Sequence, residues 1–212
     1  MTVTSTITVP PGLPAEINIT RLIVDGGAHD REWDTYDEVR RYTNAFVWDE
    51  KHAKPGESPL DAAKRELKEE AVIEAPLVHA AILFFKSSSL NYAHHIDVFR
   101  ANTWDGTPSE TEEMRPEWFS TNLDRSSSSP STSTSNPSAV PTPTPNTSPE
   151  TSLLPGVPYD QMWADDRIWL PLLLAKTPFI GRVDFGELND KTGEEAISEP
   201  MVKWWFASVD GL

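Results

Sequence analysis

Apolar and polar positions follow three different rhythms along this chain. Between residues 80 and 100, two apolar runs, Ala81-Ile82-Leu83-Phe84-Phe85 and Ile96-Asp97-Val98-Phe99, flank the polar Ser87-Ser88-Ser89 and Asn91. Short runs of this kind, split by turn-forming residues, predict a β-hairpin or two neighbouring strands. Residues 179–185 and 203–209 predict a closing strand pair, and residues 167–176 a buried helix entered through an acidic cap. The first fifty residues carry a weaker pattern, in which only residues 17–24 and 42–48 read as strands. No internal repeat is present.

The second rhythm is helical and runs from Pro55 to Ala71. Ser58 is placed as an N-cap, Pro59 suits the first helical position, and Asp61 completes a capping-box arrangement. At about 100° per residue, Leu60, Ala63, Leu67 and Ala71 fall on one apolar stripe. Glu66, Glu69 and Glu70, at spacings of three and four, fall together on a neighbouring face. Like charges that close cost a few tenths of a kcal/mol per pair, which Arg65 and Lys68 relieve in part. Two accounts fit this face: a solvated charged helix, or a set of hard oxygen ligands for a divalent cation that shares substrate phosphates.

The third rhythm is an absence of apolar residues. Ser, Thr and Pro make up 22 of the 27 residues from 126 to 152. Such a stretch buries nothing to offset chain entropy, so it predicts a disordered insert. Both flanks, Met114-Arg115-Pro116-Glu117-Trp118-Phe119 and Met162-Trp163-Ala164-Asp165-Asp166, are too short to fold alone. They are expected to pack together, with the insert looping out of one domain. The expected division is an atypical part over residues 1–54 and a catalytic domain over residues 55–210.

Composition then narrows the function classes. At 212 residues the chain holds one domain, or one domain plus an appendage. A net charge of −15 repels polyanions, so no nucleic acid polymer is expected as a partner. With no cysteine, disulfides, thiolate catalysis and Cys-ligated zinc are excluded. Met1-Thr2-Val3-Thr4-Ser5 offers neither a basic patch nor an apolar run, so no secretory signal is expected. The longest greasy stretch, residues 168–174, is too short to span a bilayer. The expectation is a monomeric, cytoplasmic protein without a membrane partner, nuclear or mitochondrial shares being left open. The adjacent His94 and His95 point to opposite faces of a strand and are read as structural.

Gly56-Glu57, seven further residues, then Arg65-Glu66-Leu67-Lys68-Glu69-Glu70 resemble the signature box of the Nudix hydrolases. The resemblance implies an α+β fold, an α/β/α sandwich around a mixed β-sheet. It also implies Mg²⁺, with Mn²⁺ as a substitute, held by Glu66, Glu69 and Glu70. Arg65 would orient these carboxylates, and Glu57 would assist them. Two positions depart from the box. Lys51 and Val72 stand where the family has glycine, and a β-branched residue suits a left-handed backbone poorly.

The downstream half is similar to one Nudix group, the hydrolases of oxidised purine nucleoside triphosphates. Ile96 to Phe99, Gly106-Thr107-Pro108, residues 112–119, Met162 to Asp166, residues 169–174 and Phe179-Ile180-Gly181 recur there in the same order. The resemblance implies cleavage of 8-oxo-dGTP and 2-hydroxy-dATP to monophosphate and pyrophosphate, which protects DNA from oxidative mutation. It makes Glu113 a further metal-side carboxylate, Trp163 a stacking partner for the purine and Phe84 a lining residue. Asp165 and Asp166 would read the base edge. A loop acid, core packing and helix capping are the plainer accounts of these residues. Upstream of Pro55 the resemblance stops, since positions including Phe46 and Val47 do not supply the family's tryptophan-asparagine-glycine stretch. The rival to the enzyme is a weakened Nudix-fold protein that binds nucleotide without turnover.

Overall fold

The computed structural model describes residues 7–44, 56–120, 154–186 and 200–212. The expected disordered insert, the second half of the run at residues 42–48 and Lys51 lie outside the described residues. The chain forms two compact units, residues 1–116 with 163–212, and residues 117–162. In the smaller unit Ser120, itself buried, forms an isolated parallel bridge with Gly156. Its N–H donates to the Pro155 carbonyl at 2.7 Å.

The larger unit is built on a six-stranded mixed sheet. Its strands are β1 (Ile19–Gly27), β2 (Glu38–Asn44), β4 (Val78–Ser87), β5 (Tyr92–Arg100), β7 (Phe179–Phe185) and β8 (Met201–Val209). They lie in the order β1-β8-β7-β4-β5-β2, and the short β3 (Ile73–Glu74) and β6 (Asp105–Gly106) pair separately. β4 pairs with β5 as a hairpin, one of the two arrangements expected, and β7 pairs with β8 as expected; both pairs are antiparallel, while β4–β7 and β2–β5 are parallel. Tertiary pairing, rather than local pattern, decides the faint N-terminal region. β1 is two residues off the expected run and pairs with β8, and β2 begins four residues earlier than the pattern suggested.

Two helices cover opposite faces of this sheet, which is the arrangement expected of the Nudix fold. Helix α1 (Pro59–Ala71) starts as its sequence dictates: Ser58 Oγ accepts the Asp61 N–H at 3.1 Å and donates to the Asp61 carboxylate at 2.6 Å. Its apolar stripe, Leu60, Ala63, Leu67 and Ala71, packs on Phe99 of β5. Helix α2 (Asp166–Leu174) lies on the other face, with Trp169 stacked on Phe179 of β7. On the α1 face, residues 7–22 and 33–36 close the remaining core over Ile82, Phe84, Ile180 and Trp205. That covering segment comes so near the sheet that a Cβ on Gly12 would sit 2.5 Å from the Phe84 ring.

Helix α1 ends on Val72, whose φ of 59° and ψ of 30° are left-handed. The turn that glycine would make freely is made here by a β-branched residue, at a cost of about 1–3 kcal/mol. The valine side chain is half exposed and recovers little of this by packing. Val72→Gly should therefore stabilise the chain by about 1 kcal/mol, after the added entropy of an unfolded glycine is subtracted. In a thermal melt this is a gain of about 3 °C. An unchanged or lower midpoint would mean that the valine's contacts outweigh its backbone strain.

Candidate active site

The angular order of side chains round α1 determines what each can do. Taking Lys64 as zero and about 100° per residue, Lys64 and Lys68 share one edge, Arg65 and Glu69 the next, and Glu66 and Glu70 the third. The apolar stripe closes the circle beside Glu66 and Glu70. Hence Glu70 is buried, 3% exposed, whereas the Glu69 side chain is 53% exposed. The three glutamates are therefore not one uniform solvated face.

Arg65 ties this acidic surface together. Its Nε and Nη2 donate to the two carboxylate oxygens of Glu57 at 3.0 Å each, and Nη1 donates to Glu66 at 2.6 Å and to Glu69 at 3.0 Å. The Glu57 bonds, followed by those of Glu66 and Glu69, hold the guanidinium above its ordinary pKa despite partial burial. A planar, bidentate fork is what fixes two carboxylates in one orientation. Glu66 Oε2 is left buried and without a partner among the described residues. The loop bearing Glu113 hangs on the end of the same helix, since Thr111 Oγ1 donates to the Glu70 carbonyl at 3.0 Å and accepts the Glu113 N–H at 3.3 Å.

An orphaned carboxylate oxygen beside two other acids suits a hard cation. Among the described residues no three His, Cys, Asp or Glu side chains are gathered tightly enough to hold a metal unaided. Mg²⁺ does not require that, because it binds through one or two carboxylates and completes its shell with water and phosphate.

Asp165 and Asp166 sit at the start of α2, each 1% exposed. Asp165 occupies the N-cap position yet makes no capping bond with its side chain. Instead its Oδ2 accepts the Trp169 indole N–H at 3.0 Å, and Asp166 Oδ2 accepts the Trp163 backbone N–H at 2.9 Å. Asp166 Oδ1 is buried with no partner among the described residues. Burial pushes the Asp165 carboxyl up to about 6. Burial and then the neighbouring Asp165 charge push Asp166 up to about 7. Native carboxyls with raised pKa bind protons that the unfolded chain has already lost, so the pair costs stability as pH rises from about 4 through 7. The Asp165 side chain therefore does not act as a helix cap, and one Asp166 oxygen is unused among the described residues.

Trp163, 38% exposed, packs edge-on against Phe185 at 6.2 Å, and Phe185 packs edge-on against Phe85 at 5.6 Å. Phe84, the expected lining residue, lies on the α1 face beneath Gly12, because alternate residues of β4 point to opposite faces. Phe85 takes its place beside Trp163. Strand alternation was available in the sequence and separates the two phenylalanines once α2 is known to cover the Phe85 face. The structure thus gathers Arg65, Glu57, Glu66 and Glu69 on one side of the sheet, and Trp163, Asp165 and Asp166 on the other.

Two more features border α1. His79 and His95 flank the buried Asp97 at 3.0 and 3.6 Å. Burial raises the Asp97 pKa, but these two histidines outweigh it and hold the carboxyl well below its usual range. His94 points to the opposite face, against Tyr42 and Tyr92. A cavity of about 700 Å³ opens on the outer flank of α1, lined by Lys64, Arg65, Lys68, Glu69 and Trp104 among others. It does not include the Asp165–Asp166 pair. No helix among the described residues is long and apolar enough to cross a membrane.

The sequence profile of the NUDIX domain matches residues 39–123, from β2 through α1 to the segment after Glu113. Over 131 residues the chain is 30% identical to an oxidized purine nucleoside triphosphate hydrolase of Danio rerio, covering 61% of this chain and 63% of that protein. A protein of the same name from Mus musculus is 32% identical over 134 residues, again 61% and 63% of the two chains. The chain thus spans somewhat less than two thirds of the length of these relatives. Residues 39–123, which bear the carboxylate helix and three strands of the mixed sheet, are thus similar to the NUDIX domain.

Proposed function

We propose that this chain is a pyrophosphohydrolase that converts oxidised purine (deoxy)nucleoside triphosphates, 8-oxo-dGTP and 2-hydroxy-dATP among them, to monophosphate and pyrophosphate. Its role would be to keep damaged bases out of DNA, as a monomer in the cytoplasm. The observation that carries the reading is the Arg65-ordered carboxylate set with its unpartnered Glu66 oxygen. Cleavage of the α–β phosphate bridge adds one water across a P–O bond, the hydroxyl to phosphorus and the proton to the released oxygen or to solvent. When bound, Mg²⁺ would neutralise charge on the phosphates. Glu66, Glu69, Glu70 and Glu113 would hold it, Arg65 would fix their orientation, and Glu57 would fix Arg65.

At the other end of the substrate, reached round an end of the sheet, Trp163 would stack on the purine with Phe185 and Phe85 behind it. Asp165 and Asp166 would face the base edge. A carboxylic acid donates a hydrogen bond where a carboxylate only accepts. A pair poised at about 6 and 7 can hold one proton on either member, and so meet a 6-oxo or a 6-amino purine. The experiment is pyrophosphate release from both nucleotides, with and without Mg²⁺, over pH 6 to 9. Asp165→Asn and Asp166→Asn should each change the ratio of kcat/KM for the two substrates, while each raises the melting temperature more at pH 8 than at pH 5. Equal losses on both substrates, or no pyrophosphate from either in the unmodified chain, would count against this reading.

A further inference from the structure

We propose that the groove between α1 and Trp104 is the seat of the pyrophosphate half of the substrate, with Lys64 and Lys68 as its anion-binding residues. The inference rests on the hydrolase reading above and extends it to the leaving group. Three observations support it. The cavity is the right size for a small polar ligand, about 700 Å³. Its charged lining is Lys64, Arg65 and Lys68 against Glu69, Glu74 and Asp105. It begins at Arg65 and Glu69, where the carboxylate set ends, so an anion would sit at the Lys64–Lys68 edge and not against the acids. The order round the helix, Glu66 and Glu70, then Arg65 and Glu69, then Lys64 and Lys68, leads a phosphate chain from the acidic edge to a cationic one.

Lys64 is available to an anion as it stands, and Lys68 becomes available by exchanging Glu74. Lys64 is exposed and forms no ion pair or hydrogen bond among the described residues. Lys68 pairs with Glu74 at 2.5 Å, but both side chains are about two-thirds exposed, and an exposed pair of this sort contributes little and exchanges readily. Arg65, by contrast, gives four hydrogen bonds to three glutamates, so it orders the site rather than binding phosphate. In a chain of net charge −15, a tetraanion needs local cations to dwell at all, and these two stand one turn apart on the same edge. Trp104, 45% exposed on the groove wall, gives the site an optical reporter.

The test is direct binding of inorganic pyrophosphate, with Mg²⁺ present, to the full chain by calorimetry and by tryptophan emission. A Lys64→Ala/Lys68→Ala double variant should bind pyrophosphate about tenfold more weakly, as expected for losing charged contacts to phosphate. Its melting temperature should be unchanged, since exposed substitutions have small effects. The Lys64→Arg/Lys68→Arg variant should keep most of the affinity. In Trp104→Phe the emission change should vanish while the binding heat remains. Undiminished binding by the alanine variant overturns the proposal, as does failure of the unmodified chain to bind pyrophosphate. If that chain still releases pyrophosphate from 8-oxo-dGTP, the hydrolase reading stands and only the groove assignment falls.

Discussion

Glu70→Gln should lower pyrophosphate release from 8-oxo-dGTP about a thousandfold while the chain stays folded. A metal-held charge at the reacting phosphate contributes several kcal/mol, and each 1.36 kcal/mol is tenfold in rate. Glu70 sits at the buried edge of α1, 3% exposed, where glutamine keeps the volume and removes the charge. Because this position is buried and not on a solvated face, a stability loss of about 1 kcal/mol is expected as well. Circular dichroism and a melt separate that loss from the kinetic one. Turnover within tenfold of the unmodified chain, in a folded variant, would remove Glu70 from the metal site.

Arg182→Met should be the most damaging single change to the fold. Arg182 is fully buried on β7 and donates to Asp184 at 2.8 and 3.2 Å, to the Pro11 carbonyl at 2.7 Å and to the Asp34 carbonyl at 2.7 Å. Asp184 in turn accepts the Asp34 N–H at 2.6 Å. The guanidinium also lies 4.8 Å from the Trp33 ring centre and 5.3 Å from that of Phe84. One side chain thus pins residues 11 and 34 of the covering segment onto the sheet. Burial already pushes the Asp184 carboxyl up, so removing its partner leaves a desolvated acid and two unpaired carbonyls. Breaking a buried pair in this way costs about 3–5 kcal/mol, or about 10 °C in the melt. Arg182→Met combined with Asp184→Leu should lose less than the two single losses together, because no orphaned charge remains. A wild-type midpoint for Arg182→Met would show that the covering segment is held by its apolar contacts alone.

The strongly patterned parts of the chain were legible because each was decided locally. Ser58, Pro59 and Asp61 specify the start of α1 without help from distant residues, and the β4–β5 hairpin follows from two apolar runs and a polar turn. The family box pointed to Arg65 as the residue that orients Glu66, Glu69 and Glu70, but its bidentate fork on Glu57 had no signature of its own. What eluded the sequence depends on partners far along the chain. The bounds of β1, though not its presence, are set by its pairing with β8, and Glu38 to Arg41 join β2 because β5 lies parallel beside them. Arg182 and Asp184 gave no sign of a buried pair, since the groups that complete it are main-chain atoms at positions 11 and 34. Phe84, expected only as a lining residue, faces α1 and not Trp163, and alternation alone does not say so, because it fixes parity within a strand but not which helix covers which side.

The strand order β1-β8-β7-β4-β5-β2 also determines what a break in the polypeptide would do. Residues 7–120 supply β1 and the β4-β5-β2 group, while residues 154–212 supply β8 and β7, which are wedged between them. Neither fragment can complete its own sheet: the first would have a vacant slot two strands wide, and the second would be a hairpin under α2 with both of its strand edges unpaired. A nick between residues 120 and 154 would therefore leave two pieces clasped like interlaced fingers, each the template for the other. The carboxylate helix and the Asp165–Asp166 pair belong to different pieces, so the two ends of the proposed nucleotide site come into register only when the fragments reassociate.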